Sequence, residues 1–222
     1  VFDDADLDNA VSWAVQAIFR NAGQVCLAGS RLFVQRGVYE EFMVRFQRAA
    51  EALVIGDPED ARTEFASLAS EEHYRKVGTY LDSVAEHGGT IVSGGSDAGG
   101  LVVRPTILTD LGLDAPHYRE EIFGPVVVAR PFDTEDEAVH LANDTAYGLN
   151  AMVFTENLSR AHRLGARLRA GTVWVNCFFI RDLRAPFGGV GDSGIGREGG
   201  SFSREFFTEP KAVVMQIYGS GD

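Results

Sequence analysis

Two kinds of hydrophobic spacing alternate along the chain. Where apolar residues recur every three to four positions after a polar residue that can cap the N-terminus of a helix, we predict a helix. Where apolar and polar residues alternate, or four apolar residues follow one another, we predict an extended strand. The predicted helices cover residues 6–19, 38–53, 70–87, 134–143 and 158–168. The predicted strands cover residues 31–35, 90–93, 101–108, 126–129, 152–154, 172–175 and 212–217.

This alternation of strands and helices predicts an α/β fold with a doubly wound, mainly parallel sheet. We expect residues 1–210 to form one catalytic domain. Residues 211–222 contain the last predicted strand, which no helix follows, and we expect it to pair with another domain or subunit. The glycine-rich segment 181–200 has little periodicity, so we expect an ordered functional loop there.

Composition and charge narrow the classes of partner. The 222 residues are 45% hydrophobic, as in a globular domain, and carry a net charge of −12 without a basic stripe. We therefore expect a small-molecule partner and no nucleic acid. No apolar run is long enough to span a membrane and no leader resembles a signal peptide, so we expect a cytoplasmic protein that does not bind membranes.

The two cysteines, Cys26 and Cys177, are too few for a disulfide scaffold and lack the spacing of a zinc site. We therefore expect free thiols and no bound metal. The five histidines do not cluster near Cys26 in sequence, so a Cys/His hydrolase has no support. Because the chain opens at Val1 without a methionine, we suspect a fragment of a longer protein.

Cys26 lies in a short predicted turn between a helix and a strand, with Gly23 and Gly29 on either side. Glycine lets the backbone approach a ligand closely, and N–H groups in such a turn can point at a developing oxyanion. Free cysteine is also among the most buried residue types. From position alone, a small buried core residue is therefore the favoured interpretation.

Six segments together change this interpretation, because they resemble the aldehyde dehydrogenase superfamily in the right order over essentially the whole chain. The segments are residues 19–31 (FRNAGQVCLAGSR), 120–125 (EEIFGP), 143–149 (NDTAYGL), 171–176 (GTVWVN), 186–189 (PFGG) and 193–198 (SGIGRE). One of these motifs alone would be weak evidence, whereas six in register are specific.

The resemblance implies a role for five residues. Cys26 would be the nucleophile that forms a thiohemiacetal and then a thioester. Glu121 would hydrogen-bond the nicotinamide ribose, and Phe123 would pack beside the nicotinamide of NAD, with NADP not excluded. Phe187 would lie near the cofactor and substrate, or simply pack in the core. Glu198 would accept a proton or position water, or form a structural ion pair with an arginine. The alternative for Glu121 is a solvated surface carboxylate or a helix-capping charge.

The family's usual general base, an asparagine oxyanion donor and the Rossmann-like dinucleotide domain all precede the point that matches Val1. The resemblance therefore implies a catalytic portion that, in isolation, has no meaningful dehydrogenase turnover.

The segment Arg181-Asp-Leu-Arg184, before the PFGG motif, resembles the hydroxymuconic and aminomuconic semialdehyde dehydrogenase branch, which includes the carboxymethyl-hydroxymuconate enzyme. Arg181, the first choice, or Arg184 would bind a substrate carboxylate through its planar fork. Either could instead pair with Asp182 or another acid and fix the loop. The rival functions are a generic or succinate-semialdehyde dehydrogenase and an inert assembly module. We also expect a homo-oligomer.

Overall fold

The computed structural model describes residues 1–96 and 99–218 of the chain. The helices are α1 (Leu7–Phe19), α2 (Arg36–Glu51), α3 (Glu71–Asp82), α4 (Pro116–Arg119), α5 (Glu135–Asn143), α6 (Leu158–Arg167) and α7 (Gly200–Phe207). The strands are β1 (Arg31–Gln35), β2 (Thr90–Gly95), β3 (Arg104–Thr109), β4 (Val126–Phe132), β5 (Asn150–Val153) and β6 (Thr172–Val175). Two short 3-10 helices cover Arg20–Gly23 and Gly191–Ser193.

The described strands form two sheets. In the larger sheet the order is β1-β4-β3-β2, with β1 and β3 parallel to β4 and β2 antiparallel to β3. The smaller sheet pairs β5 with β6 in parallel. The predicted α/β class with a mainly parallel sheet is therefore confirmed, although the strands divide between two sheets.

The first two residues connect these sheets. Val1 makes two backbone hydrogen bonds to β1. Its N–H donates to the Phe33 carbonyl at 2.7 Å, and its carbonyl accepts from the Gln35 N–H at 2.8 Å. The N–H of Phe2 donates to the carbonyl of Phe154, just beyond β5, at 3.0 Å. The start of the chain thus lies between the two sheets and ties β1 to the end of β5.

The hydrophobic pattern explains the position of β4 and the helices around it. Residues 126–129 of β4 are all buried, as expected for a central strand covered on both faces. Helix α1 buries one stripe and packs against α2, where Phe19 stacks on Phe46 with ring centroids 5.9 Å apart. The predicted helix starts at residues 6, 70 and 134 agree with the structure, where the side chains of Asp6, Ser70 and Thr134 each accept a backbone N–H of the first turn.

The structure differs from the sequence-based predictions at several elements. Within the described chain the strand predicted at 212–217 is absent: residues 209–218 have no regular secondary structure and are exposed. A strand needs a neighbour for its backbone hydrogen bonds, and pairing with another domain or subunit stays a prediction. Helix α3 ends at Asp82, five residues early, and turns follow it. Helix α7 was not predicted because it buries none of its residues.

The glycine-rich sequence of residues 94–100 predicts a loop or hairpin tip. Residues 97 and 98 of this segment, and residues 219–222 of the predicted terminal segment, lie outside the described residues. Within the part of the chain that the structure describes, no helix is long and apolar enough to cross a membrane. The described residues also contain no cluster of acidic, histidine or cysteine side chains that could hold a metal ion.

Candidate active site

A sharp reversal of the chain after α1 presents Cys26. Asn21, Ala22 and Gly23 follow one another with φ of 53°, 54° and 69°, in the left-handed region. For residues with a side chain this conformation costs on the order of 1–3 kcal/mol each, so the surroundings must hold it. Gln24 contributes to this, because its carbonyl accepts from Asn21 Nδ2 at 3.0 Å and its Oε1 accepts from the N–H of Ala69 at 2.9 Å.

Cys26 is exposed on the turn that follows, while the residues on either side of it anchor the turn. The turn closes through the Ala28 N–H, which donates to the Val25 carbonyl at 2.9 Å. Leu27 is only 3% exposed and packs, together with Val25, in an apolar cluster around Trp174. The alternative of a buried core cysteine is therefore wrong for Cys26.

The backbone of Gly23 brings the cysteine turn against the segment 120–125. A Cβ atom placed on Gly23 would lie 2.1 Å from the carbonyl oxygen of Gly124, so no side chain fits between the two segments. As a result Cys26, Glu121 and Phe123 line one pocket. The structure thus brings together three of the residues that the sequence predicts for the site.

Within this pocket, Glu121 and Phe123 are both available to a ligand. The Glu121 side chain is exposed, and in the described part of the chain its carboxylate has no hydrogen-bond or ion-pair partner. Phe123 is 37% exposed and has a φ of 61°, an uncommon conformation for a bulky residue. An exposed carboxylate without a partner agrees both with a ribose ligand and with a solvated surface carboxylate, so the role of Glu121 stays a prediction, as does that of Phe123.

Arg181, Phe187 and Glu198 form a second cluster. Phe187 and Glu198 exchange both backbone hydrogen bonds, at 2.8 and 2.7 Å, which places the Glu198 side chain beside Arg181. Arg181 Nη2 donates to Glu198 Oε1 at 2.9 Å, and the guanidinium lies 4.9 Å from the centre of the Phe187 ring. Of the two interpretations of Glu198, the structure has the ion pair. Phe187 also packs against the apolar cluster around Trp174.

Arg184 is paired with Asp182, two residues earlier, through Nη2 to Oδ2 at 2.6 Å and Nε to Oδ1 at 3.0 Å. The hydrogen bond from the Arg184 side chain lowers the pKa of the Asp182 carboxyl. Both side chains are largely exposed. This is the loop-fixing arrangement that the sequence left as the alternative.

Sequence reasoning did not single out Arg20, which precedes the cysteine by six positions. Its guanidinium lies 5.7 Å from the ring centre of Phe179, in the loop that also carries Arg181. In the described part of the chain Arg20 has no carboxylate partner, unlike Arg181 and Arg184. The signal in the sequence was a cation inside the cysteine motif.

The environment of Cys177 differs from that of Cys26. Cys177 is half-buried beside the Trp174 cluster, and burial raises the pKa of its thiol. Among the described residues Cys177 packs against this apolar cluster, which favours a structural role for it.

The two thiols should therefore react at different rates with iodoacetamide at pH 7. We expect Cys26 to be alkylated at least about tenfold faster than Cys177, because it is exposed and because a raised pKa leaves less Cys177 thiolate. Mass spectrometry of peptides from timed samples measures both rates. In urea the two rates should converge. Equal or faster labelling of Cys177 in the folded chain would contradict this assignment.

Comparison with known proteins agrees with this geometry. The model of the aldehyde dehydrogenase family matches residues 1–213. The chain belongs to the aldehyde dehydrogenase family. It is 49% identical to the 2-hydroxymuconic semialdehyde dehydrogenase of Pseudomonas sp. (strain CF600), over 98% of this chain and 46% of that relative. It is 44% identical to a betaine aldehyde dehydrogenase of Cereibacter sphaeroides (strain ATCC 17029), over 97% of the chain and 45% of the relative.

Solved structures of this aldehyde dehydrogenase family show the same fold. The NAD+ complex of the Bacillus cereus aldehyde dehydrogenase superimposes with a TM-score of 0.92 at 40% identity, covering 97% of this chain and 44% of that one. HpcC from Thermus thermophilus gives a TM-score of 0.89 at 38% identity, over 98% and 45% of the two chains. The chain thus spans less than half the length of the relatives that it matches.

Proposed function

We propose that this chain is the catalytic portion of an NAD-dependent aldehyde dehydrogenase that oxidises a carboxylated semialdehyde, with Cys26 as the nucleophile. One observation carries the proposal: an exposed thiol on a strained bend shares a pocket with the free carboxylate of Glu121 and the presented ring of Phe123. The similarity to a 2-hydroxymuconic semialdehyde dehydrogenase supports the choice of substrate class.

In the proposed reaction the Cys26 thiolate attacks the aldehyde carbon, and the carbonyl electron pair moves to the oxygen. In the described chain the Cys26 backbone N–H donates to no backbone acceptor, so it is free to stabilise that oxyanion. NAD, when bound beside Glu121 and Phe123, would supply the acceptor for the hydride that leaves the reacting carbon. Loss of the hydride leaves a thioester on Cys26, and water cleaves it to release the acid and the thiol.

The residues in the pocket fit the nicotinamide half of NAD. The unpaired Glu121 carboxylate can accept hydrogen bonds from two ribose hydroxyls, and Phe123 offers a flat apolar surface. Neither side chain distinguishes NAD from NADP, since that choice concerns the adenosine end of the cofactor.

For the substrate carboxylate we propose Arg181 first and Arg184 second. Arg181 donates one N–H to Glu198. The other N–H groups of its guanidinium remain to bind a ligand. Arg184 already meets Asp182 with two nitrogens. Their ion pairs fix the loop when no substrate is bound.

The kinetic test of Arg181 uses a fusion of this chain to the part of the Pseudomonas relative that the chain does not cover. Arg181→Ala should raise the KM for a carboxylated semialdehyde about tenfold to hundredfold, the range of a lost charge-assisted hydrogen bond. The KM for a neutral aldehyde should stay within about twofold. Arg62→Ala is the control, because Arg62 is also exposed and forms an ion pair with an acid, Asp60, outside this cluster. Equal losses for both aldehydes would rule Arg181 out as the carboxylate ligand.

We propose further that residues 1–210 form the catalytic domain, that residues 211–222 pair with another domain or subunit of a homo-oligomer, and that the enzyme is cytoplasmic. The exposed apolar side chains at 213–218 and the two unpaired cysteines support these proposals.

The function is tested by comparing NADH production by the fusion and by the isolated chain. The fusion should turn over and the isolated chain should not. An inactive fusion that still folds would favour the inert assembly module.

A further inference from the structure

We propose that His73 is a positioning residue for Phe123: its Nε2–H holds the Phe123 carbonyl and so fixes the conformation in which the ring is presented to the pocket. For the role of Phe123 this inference rests on the proposed function. His73 lies on α3, fifty positions before Phe123, and belongs to none of the motifs that point to the active site.

One face of α3 carries the contacts to residues 120–124. His73, Lys76, Val77 and Tyr80 are spaced as neighbours along one side of a helix. Lys76 Nζ donates to the Glu121 carbonyl at 2.9 Å. Val77 lies so close to Gly124 that a Cβ there would be 2.8 Å from Val77 Cγ2.

Tyr80 completes this face, since its hydroxyl donates to Glu120 Oε2 at 2.6 Å. Burial, followed by the hydrogen bond to Glu120, raises the pKa of Tyr80 to about 12, which keeps the hydroxyl protonated as a donor. Helix α3 is therefore a platform that fixes the backbone of the segment beside the pocket.

Of these contacts, the hydrogen bond from His73 is made to Phe123, the residue with the strained backbone. His73 Nε2 lies 2.7 Å from the carbonyl oxygen of Phe123, and the two rings meet edge to face with centroids 6.1 Å apart. A carbonyl oxygen only accepts, so Nε2 must carry the proton. Phe123 has a φ of 61°, which costs on the order of 1–3 kcal/mol and persists only where neighbours hold it. In the described chain, His73 provides the side-chain hydrogen bond to this residue.

The position of His73 is itself fixed by the start of α3. Its backbone N–H donates to Oγ of the capping residue Ser70 at 3.2 Å, and its ring is half-buried. A solvent-exposed histidine without such a constraint, such as His162 on α6, could not hold a distant carbonyl at one distance.

Limited proteolysis of the isolated chain with chymotrypsin tests the inference without cofactor. Cleavage after Phe123 is compared with cleavage after Phe207, which is 76% exposed and serves as an internal reference. His73→Leu removes the donor, and we expect the relative cleavage at Phe123 to rise about tenfold. His73→Gln keeps an N–H donor and should stay within about twofold of the parent. His162→Leu is the matched control.

An unchanged cleavage ratio in His73→Leu, or the same rise in His73→Gln, would overturn the proposal. If His73→Leu fails to fold, His73→Asn replaces it, because its amide is too short to reach the carbonyl and should behave unlike His73→Gln.

NADH binding to the fusion gives the second readout. His73→Leu should raise the NADH dissociation constant about tenfold and leave the aldehyde KM unchanged, while His73→Gln should restore binding. A purely structural role would change both constants together. If the parent fusion binds no NADH, the proposed function fails, while the proteolysis still decides whether His73 holds Phe123.

Discussion

Replacing Cys26 with alanine in the fusion is expected to lower kcat/KM for the semialdehyde by at least about 1000-fold. The proposed reaction forms its carbon–sulfur bond at this atom, and loss of a covalent nucleophile typically removes several orders of magnitude of rate. NADH binding should remain close to that of the parent, because Glu121 and Phe123 keep their places. Steady-state rates and NADH fluorescence measure the two effects.

Cys177→Ala is the matched control for this substitution. Cys177 is half-buried and is not among the residues that line the pocket. Its replacement should therefore leave kcat/KM within a few-fold of the parent. Retention of most activity by the Cys26 variant, or an equal loss in both variants, would remove Cys26 from the mechanism.

Gly23→Ala is expected to destabilise the chain by about 3 kcal/mol. The new Cβ would lie 2.1 Å from the Gly124 carbonyl oxygen, and the φ of 69° disfavours any residue other than glycine. The left-handed conformation costs about 1–2 kcal/mol and the overlap about 1–3 kcal/mol more. In a chain of this size such a loss lowers Tm by roughly 10 °C. Thermal unfolding followed by circular dichroism measures it.

Gly78→Ala provides the comparison, because nothing lies within 4 Å of a Cβ at that position on α3. Alanine is a better helix former than glycine, so this variant should be equal to or more stable than the parent by about 0.5–1 kcal/mol. If Gly23→Ala were as stable as Gly78→Ala, the close approach of the cysteine turn to residues 120–125 would be contradicted.

Elements that bury an apolar face could be predicted from the sequence. Helix α1 with its Asp6 cap and strand β4 with its run of apolar residues agree with the predictions to within a few positions. Elements whose stability depends on a partner or on local turns could not. Helix α7 has no buried face, and residues 212–217 have no neighbouring strand in the described chain.

The residues of the candidate site likewise divide into those that the sequence could identify and those whose contacts it could not. Cys26, Glu121 and Phe123, which the motifs single out, line one pocket in the structure, while their roles there stay predictions. The ion pair between Arg181 and Glu198 spans 17 positions and depends on how the loop folds back, which spacing alone does not determine. The sequence therefore left two interpretations open for both residues.

His73 remained hidden for a related reason, because no local pattern links α3 to a carbonyl fifty residues later. The proposed role of His73 depends on a tertiary contact, and the position of Arg20 beside Phe179 is likewise set by tertiary structure. Residues that position a site from outside its motifs become visible only in the folded chain.

The most direct test of the role of Cys26 is to trap the covalent intermediate. The fusion is mixed with NAD and the semialdehyde, quenched in acid within milliseconds, digested and analysed by mass spectrometry. The acyl mass should appear on the peptide that contains Cys26 and should decay at the rate at which the acid forms. Product formation with no acyl mass on that peptide, or with the mass on the Cys177 peptide, would contradict the proposed mechanism.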